Sequence, residues 1–242
     1  AGSEAISTPN LDILSNDIAP YIGITGTPVI QVSSSTLYVV AKTRTTGSNP
    51  VYSQLLYALD LATGQPKIHP AGVQIASPAP VTPAFSPLLE NQRAALLLDN
   101  NILYIAFGSH GDQGNYHGWL LAYDSSTMQQ TSLFDVTPSK MQGGGIWQSG
   151  GGPSADSNHD IFVITGDGPL DAYRGDTSYS DSFLRLRTAG TLAVADYFSP
   201  CDEATLASAG KDVGSSAPLL LPDSAGTVSQ PHLLIGGSKN GS

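Results

Sequence analysis

Short runs of Val, Ile, Leu and Tyr recur along the chain, and each follows a cluster of Ser, Asn, Asp or Pro. The runs are Leu37–Val40, Leu103–Ala106, Ile161–Ile164 and Leu233–Gly236. Apolar and β-branched residues that begin directly after turn-forming residues are typical of the second arm of a β-hairpin. Few segments carry a 3.6-residue apolar period, and only 10–18 and 203–209 favour a helical turn or two. The chain is therefore predicted to be all-β.

The same unit repeats along the chain. The four runs begin 66, 58 and 72 residues apart, and an earlier strand is predicted before each of them. Further apolar runs follow at 55–60, 120–124 and 182–186, and again at 132–136 and 192–197. Four antiparallel strands per unit, repeated around an axis, describe the blade of a β-propeller. A β-sandwich is the alternative fold, but it does not require one strand order three times.

The repeats predict a single domain over 1–242 with about three and a half blades. Their approximate limits are 18–70, 90–138, 144–199 and, for an incomplete blade, 211–242. A propeller closes with about four to eight blades, and an open arc leaves an unpaired sheet edge in water. We therefore expect a partial propeller that is completed by the remainder of its own chain or by a homodimer.

Composition excludes several classes of protein. The 242 residues carry 10 Lys and Arg against 20 Asp and Glu, so the net charge of -10 disfavours binding to nucleic acid. No apolar run reaches the length of about 18 residues that a membrane span needs. Cys201 is the only cysteine, which excludes an intrachain disulfide and a cysteine-based metal site.

Several segments resemble the pyrroloquinoline-quinone-like (PQQ-like) β-propeller repeat proteins, and the closest resemblance is to uncharacterised bacterial members. The matching segments are 23–30, 56–60 with 63–64, 108–110, 116–124, 144–150, 165–168, 179–182 and 196–198. The resemblance implies a quinoprotein-like propeller of which this chain represents about half. It also implies a secreted or periplasmic location, which the low Lys content and the abundant Ser, Thr, Asn and Gly also favour.

The resemblance implies the fold more strongly than the chemistry. Quinoprotein dehydrogenases of this group hold PQQ over a tryptophan, beneath a pair of adjacent cysteines and beside a calcium ion. With Cys201 alone, the cysteine pair is missing, so a PQQ site is not expected. Asp167 stands where these dehydrogenases place a calcium-binding Asn, and a carboxylate is also a hard oxygen ligand.

Segment 109–119 holds the densest set of reactive side chains, namely His110, Asp112 and His117. Imidazole with carboxylate suits zinc, iron or manganese, and a neutral histidine beside a carboxylate is a general base at neutral pH. One interpretation makes these three residues catalytic and makes His110, His117 and Asp167 metal ligands. The other makes both histidines structural, bonded to the backbone of the blade.

Asp156 is a further candidate metal ligand. Asp156, Asn158 and Asp160 alternate, and Asp167 follows at position twelve of the same stretch, as in a calcium loop. Ile161 replaces the glycine that such a loop needs at position six, and a hairpin turn rich in Asp and Asn explains the same residues.

Three functions remain open from the sequence. The first is a non-catalytic scaffold that binds a small molecule or a partner through its loops. The second is an ester or phosphoester hydrolase with a metal or His/Asp site built from His110, Asp112, His117 and Asp167. The third is a fragment of a quinoprotein-type dehydrogenase. The cofactor is unknown, with calcium and zinc as the candidate metals.

Overall fold

The computed structural model describes residues 5–13, 15–78, 81 and 83–241. β-Strands provide most of the regular structure, as the apolar runs predict. An α-helix spans Glu203–Ser208, and short 3-10 helices span Asn10–Ile13, Val32–Ser34, Gln148–Gly150, Ala172–Arg174, Val213–Ser215 and Asp223–Ala225. Both predicted helical segments are confirmed, although the first ends at Ile13. Within the described ranges, no helix has the length and apolar character to span a bilayer.

The strands form four sheets, and every strand pair is antiparallel. Sheet 1 contains β1 (Ala5–Pro9), β2 (Tyr21–Ile22), β3 (Val29–Gln31), β4 (Thr36–Thr45), β5 (Tyr52–Asp60) and β6 (Pro66–Gln74). Sheet 2 contains β7 (Glu90–Asn91), β8 (Leu97–Asp99), β9 (Ile102–Ser109), β10 (Trp119–Asp124) and β11 (Gln130–Asp135). Sheet 3 contains β12 (Ser154–Ala155), β13 (Ile161–Ile164), β14 (Phe183–Arg187) and β15 (Ala193–Phe198). Sheet 4 pairs β16 (Leu219–Leu220) with β17 (Leu234–Ile235).

One strand order recurs in sheets 1 to 3, as the repeat predicts. β4, β9 and β13 each lie between an earlier short strand and a longer following strand, and a fourth strand forms the edge. The edge strand of sheet 1, Pro66–Gln74, was not predicted. It contains Pro66 and Pro70, which argue against a strand interior but are tolerated at a sheet edge, where the missing N–H faces water. The limits of the repeats themselves stay predictions.

Sheet 2 lies between two apolar cores. On one face, Ile105, Phe107 and Leu121 pack with residues of sheet 1 such as Tyr38 and Leu56. On the other face, side chains of sheet 2 pack with side chains of sheet 3, and this core contains Tyr104, Ala106, Leu120, Val163 and Leu184. A sandwich has one core between two sheets, whereas blades stack one after another with a core between each pair. The serial stacking therefore agrees with a partial propeller.

Candidate functional site

The connection from β9 to β10 and the connection from β13 to β14 meet at one end of sheets 2 and 3. The strand-like segment around Gly143–Gly145 joins them: the Gly118 N–H donates to Gly143 O at 3.1 Å, and the Gly144 N–H donates to Asp167 O at 2.8 Å. A Cβ at Gly118 would lie 1.8 Å from Gly144 O, so only glycine permits this approach. These glycines allow the backbones of neighbouring blades to come into direct contact.

His110 is buried at this end of sheet 2, with 1% of its surface exposed. Its Nδ1 lies 2.9 Å from Oδ2 of Asp17, and its buried Nε2 has no hydrogen-bond partner among the described residues. Burial, together with the charge of Lys42, lowers the pKa of His110 to about 4, although Asp17 opposes both effects. The imidazole is therefore neutral at physiological pH and is closed off from solvent.

His117 is equally buried but belongs to a different set of contacts. Its Nδ1 lies 3.2 Å from Oδ1 of Asp135 and 3.0 Å from Oγ1 of Thr137. Its backbone N–H donates to Oε1 of Glu90, which also accepts a hydrogen bond from Nε1 of Trp119. His110 and His117 are thus each held by their own carboxylate instead of facing a common centre.

Lys42 and Glu90 lie in the same buried region, and the sequence reasoning did not single out either residue. Lys42 Nζ donates to the backbone oxygens of Leu88 at 2.5 Å and of Glu90 at 3.2 Å. Burial lowers the pKa of Lys42 to about 7, against the attraction of Glu90 and Asp17. Burial also raises the pKa of the Glu90 carboxyl well above its usual value. We call Lys42, Glu90, His110 and His117, with their partners Asp135 and the exposed Asp17, the buried polar network.

Asp112 faces away from this network and lines an open cavity of about 420 Å³. The walls of the cavity are Asp112, Tyr116, Lys140, Met141, Gln142, Gly143, Asp167, Gly168 and Pro169. The Asp112 carboxylate accepts a hydrogen bond from Ser109 Oγ at 2.9 Å, and the Tyr116 side chain lines the cavity beside it. Asp112 and Asp167, two of the residues predicted for a site, therefore do come together.

The Asp167 carboxylate is half-buried in this cavity and forms no ion pair with any described residue. Burial raises the pKa of Asp167, and the negative charges of Asp112 and Asp212 raise it further. Lys239 opposes this shift, but its Nζ is bound 2.6 Å from Oδ1 of Asp212. Lys140, the lysine in the cavity wall, is likewise paired, with Asp171 at 2.7 Å and with Asp176 at 2.8 Å.

Asp181 lies beneath the same cavity and is fully buried. Its Oδ1 accepts the Val213 N–H at 3.1 Å, whereas its Oδ2 has no hydrogen-bond partner in the part of the chain that the structure describes. Burial raises the pKa of Asp181 to about 7, with further contributions from Asp167, Asp212 and Glu203. We call Asp112, Asp167, Asp181 and Asp212 the acidic cluster. Asp212 and Lys239 come from the last repeat, far along the chain, and no local sequence pattern indicated their part in it.

Asp156 is not part of this cluster. It caps the turn between β12 and β13, where its Oδ1 accepts the N–H groups of Asn158 at 2.9 Å and Asp160 at 3.0 Å. Asp167 follows the other end of β13, and a strand rises about 3.3 Å per residue. The strand Ile161–Ile164 therefore lies between Asp156 and Asp167, and in the structure Asp156 takes part in the hairpin turn, which is the second of the two interpretations of this stretch.

Trp147 lies between the ends of sheets 2 and 3. Three glycines surround its indole: a Cβ at Gly108, Gly145 or Gly166 would lie 2.9, 2.8 or 3.0 Å from the ring. The indole is therefore packed directly on backbone and remains half-buried. Trp119, in contrast, is fully buried in the core between sheets 1 and 2.

Two solved structures share this architecture. One is a quinohemoprotein alcohol dehydrogenase from Pseudomonas putida HK5, with 14% identity and a TM-score of 0.52 over 93% of this chain and 40% of that one. The other is a europium-containing methanol dehydrogenase, with 16% identity and a TM-score of 0.53 over 97% of this chain and 49% of that one. The chain has the fold of the quinoprotein β-propellers. The predicted resemblance is thereby confirmed at the level of the fold.

The chain spans less than half the length of these two neighbours. No protein-family model matches the sequence, and no curated protein is significantly similar to it.

The residues present do not fit the PQQ and metal pair that the resemblance implies. Cys201 is exposed and is the single cysteine of the given sequence, so these residues do not by themselves supply a lid of paired cysteines. Among residues 5–13, 15–78, 81 and 83–241, no three His, Cys, Asp or Glu side chains are arranged to hold a metal ion. His110 and His117 in particular direct their Nδ1 atoms to Asp17 and Asp135.

Proposed function

We propose that this quinoprotein-fold chain is a non-catalytic binding scaffold, and that its ligand presents a cationic group to the cavity of Asp112, Tyr116 and Asp167. The observation that supports the proposal is the half-buried Asp167 carboxylate, which has carboxylate neighbours and forms no ion pair within the described residues. A partly desolvated charge without a partner is unfavourable, so a bound cation would supply the missing opposite charge.

The proposed ligand is an amine and not a bare metal ion. A metal ion requires several ligands at fixed distances, and the described His, Cys, Asp and Glu residues provide no group of three. An ammonium group requires only two or three acceptors at hydrogen-bond distance, which Asp167, Asp112 and the Tyr116 hydroxyl provide around the cavity. The cavity of about 420 Å³ is within the usual range for a small-molecule site.

Calorimetric titration with a series of primary amines and diamines tests this function, with calcium and lanthanum chlorides as comparators. We expect an amine to bind and Asp167→Asn to weaken it at least tenfold, about 1.4 kcal/mol. Asp156→Asn is the matched control, because it removes one charge from a capped turn outside the cavity. Equal binding by wild type and Asp167→Asn would refute the proposal, and tighter binding of calcium or lanthanum than of any amine would replace it with a metal site.

The hydrolase hypothesis receives no geometric support, since it needs His110 or His117 open to a substrate. Both histidines are 1% exposed. We therefore do not propose roles for them in catalysis or in metal binding. Their proposed role is structural, in line with the second interpretation of the sequence.

We also propose that the propeller ring is closed by more polypeptide, either from a second copy or from further chain. This proposal is supported by the share of the neighbours that the chain covers, 40% and 49%. We propose further that the protein works outside the cytoplasm. Light scattering tests the homodimer, which predicts twice the mass of 25.1 kDa. Fractionation of the source cells tests the location, and recovery in the cytoplasmic fraction would contradict it.

A further inference from the structure

The walls of the acidic cavity come from three connections between strands of sheets 2 and 3. Asp112 and Tyr116 follow β9, residues 140–143 follow β11, and residues 167–169 follow β13. Each connection runs between two strands that the structure describes. The cavity is therefore formed within residues 112–169, by segments from the interior of the chain, and its shape can be used to infer the class of ligand.

One part of the cavity attracts a positive charge. Asp112 and Asp167 are the two carboxylates among the described residues that line it, and neither forms an ion pair with a described residue. Tyr116 is 3% exposed, and burial, followed by the charges of Asp112 and Asp167, raises the pKa of its hydroxyl, which therefore stays protonated. Beneath them lies Asp181, whose buried Oδ2 has no hydrogen-bond partner among the described residues. This part of the cavity suits a single ammonium group.

The lysine of the wall limits the ligand to that one charge. Lys140 lines the cavity, whereas its two partners, Asp171 and Asp176, do not. Ser139 Oγ also donates to Oδ1 of Asp176 at 2.9 Å, which fixes this arrangement further. A second ammonium group on a ligand would thus find no unpaired carboxylate among the described lining residues beyond Asp112 and Asp167. An anionic group would be repelled by the two carboxylates that already surround Lys140.

The remaining wall carries no charge and consists of Met141, Gln142, Gly143, Gly168 and Pro169. Its backbone is closely packed, since a Cβ at Gly143 would lie 2.9 Å from Gly168 Cα and 3.0 Å from Pro169 Cδ. Met141, in contrast, is 74% exposed. A methionine side chain is apolar and flexible, so it adapts to the shape of a hydrocarbon group. This part of the cavity therefore suits an apolar group next to the ammonium site.

We infer that the ligand is a monoamine with an apolar body. Its ammonium group binds at Asp112 and Asp167, and its hydrocarbon or aromatic body covers Met141 and Pro169. The inference rests on the proposed function, because it names the class of amine that the same cavity selects. Diamines, amino acids and small hydrophilic amines are the classes that it excludes.

Calorimetric titration of the whole chain at pH 7 with three matched amines tests the inference. Hexylamine has one ammonium group and an apolar body, methylamine lacks the body, and 1,6-diaminohexane replaces the apolar end by a second ammonium group. We expect hexylamine to bind at least about tenfold more tightly than either of the others, because only hexylamine buries methylene groups without desolvating a second charge.

The outcomes separate this inference from the proposed function. If none of the three amines binds, the proposed function fails and this inference fails with it. If methylamine or 1,6-diaminohexane binds as tightly as hexylamine, the cavity still binds amines and only the apolar body is refuted.

Variants of Met141 locate the body of the ligand. Met141→Ser should weaken hexylamine about tenfold and leave methylamine unchanged, whereas Met141→Leu should preserve the binding of both. Val32→Ser is the matched control, at an 82% exposed residue far from the cavity in the sequence, and should change neither. Equal binding of hexylamine by wild type and Met141→Ser, or an equal loss of both amines in Met141→Ser, would overturn the inference.

Discussion

His110 and Asp112 stand two residues apart in the sequence, yet they belong to two regions with opposite chemistry. In the buried polar network, each histidine and Lys42 has a named partner, and the groups are closed off from solvent. In the acidic cluster, Lys239 is paired with Asp212, and the half-buried Asp167 forms no ion pair with any residue that the structure describes. The contacts of His110 with Asp17 and of Lys42 with the Glu90 carbonyl connect segments of sheets 1 and 2, whereas a carboxylate without an ion pair beside a cavity is what a ligand can use.

The largest expected effect comes from breaking the network. His117→Ala leaves the carboxylate of Asp135 and the hydroxyl of Thr137 without their buried partner. We expect the free energy of unfolding to fall by about 2–4 kcal/mol, measured by urea denaturation. His159→Ala is the control, since His159 is 47% exposed in its pair with Asp99 and should cost less than about 1 kcal/mol. Equal losses of unfolding free energy in the two variants would show that the buried network contributes no more to stability than an exposed His–Asp pair.

The second-largest effect is a gain in stability, and it comes from a substitution in the acidic cluster. Asp181 has a folded-state pKa of about 7, above its unfolded value of about 3.9. As pH rises from about 4 to 7, the unfolded chain loses this proton while the folded chain keeps it, so stability falls over that window. Asp181→Asn should remove the fall and raise stability at pH 8 by about 1–3 kcal/mol. Urea unfolding of both proteins at pH 4, 6 and 8 checks this, and a less stable variant at pH 8 would contradict it.

His110 should produce a smaller dependence that runs the other way. Its folded-state pKa is about 4, below the unfolded value of about 6.5. As pH falls from about 6.5 to 4, the unfolded chain binds a proton that the folded chain does not, so stability is lost. His110→Gln should abolish this loss and cost about 1 kcal/mol at pH 7, because Gln can still donate to Asp17. Thermal melts across this window provide the measurement, and an unchanged slope in the variant would argue against a buried neutral imidazole.

The smallest effect is expected outside both regions. Asp156→Asn should change stability by no more than about 0.5 kcal/mol, because Asn accepts the same two backbone N–H groups in the turn. Added calcium should leave the melting temperature of wild type and variant equally unaffected. A calcium-dependent rise that Asp156→Asn removes would restore a metal site at this turn.

The sheets could be predicted from the sequence because their signals are local. Leu37, Leu103 and Ile161 each begin an apolar run directly after turn residues, and each lies in the second main strand of its sheet. The two-strand sheet 4 was also predicted as an incomplete unit.

The site could be predicted only in part, because many of the residues that contact its side chains come from distant parts of the chain. The sequence pattern predicted His110 and Asp112 in one site. In the structure, however, Gly111 and Asp112 both have positive φ angles, 58° and 56°. The backbone turns there, so that His110 points into the core and Asp112 points to the cavity. Asp17, Asp135, Asp212 and Lys239 come from distant segments, and only the folded chain brings them to these groups.

The position of Trp147 among three glycines has a consequence for the fluorescence of the protein. The chain contains two tryptophans, and they occupy contrasting surroundings: Trp119 is fully enclosed, while the indole of Trp147 rests on backbone where sheets 2 and 3 meet. Emission from Trp119 should be blue-shifted and resistant to acrylamide, whereas emission from Trp147 should be redder and quenched. The protein therefore carries its own fluorescent reporter of the junction between two blades, and a Trp119→Phe variant would allow the opening of that junction to be followed without any added dye.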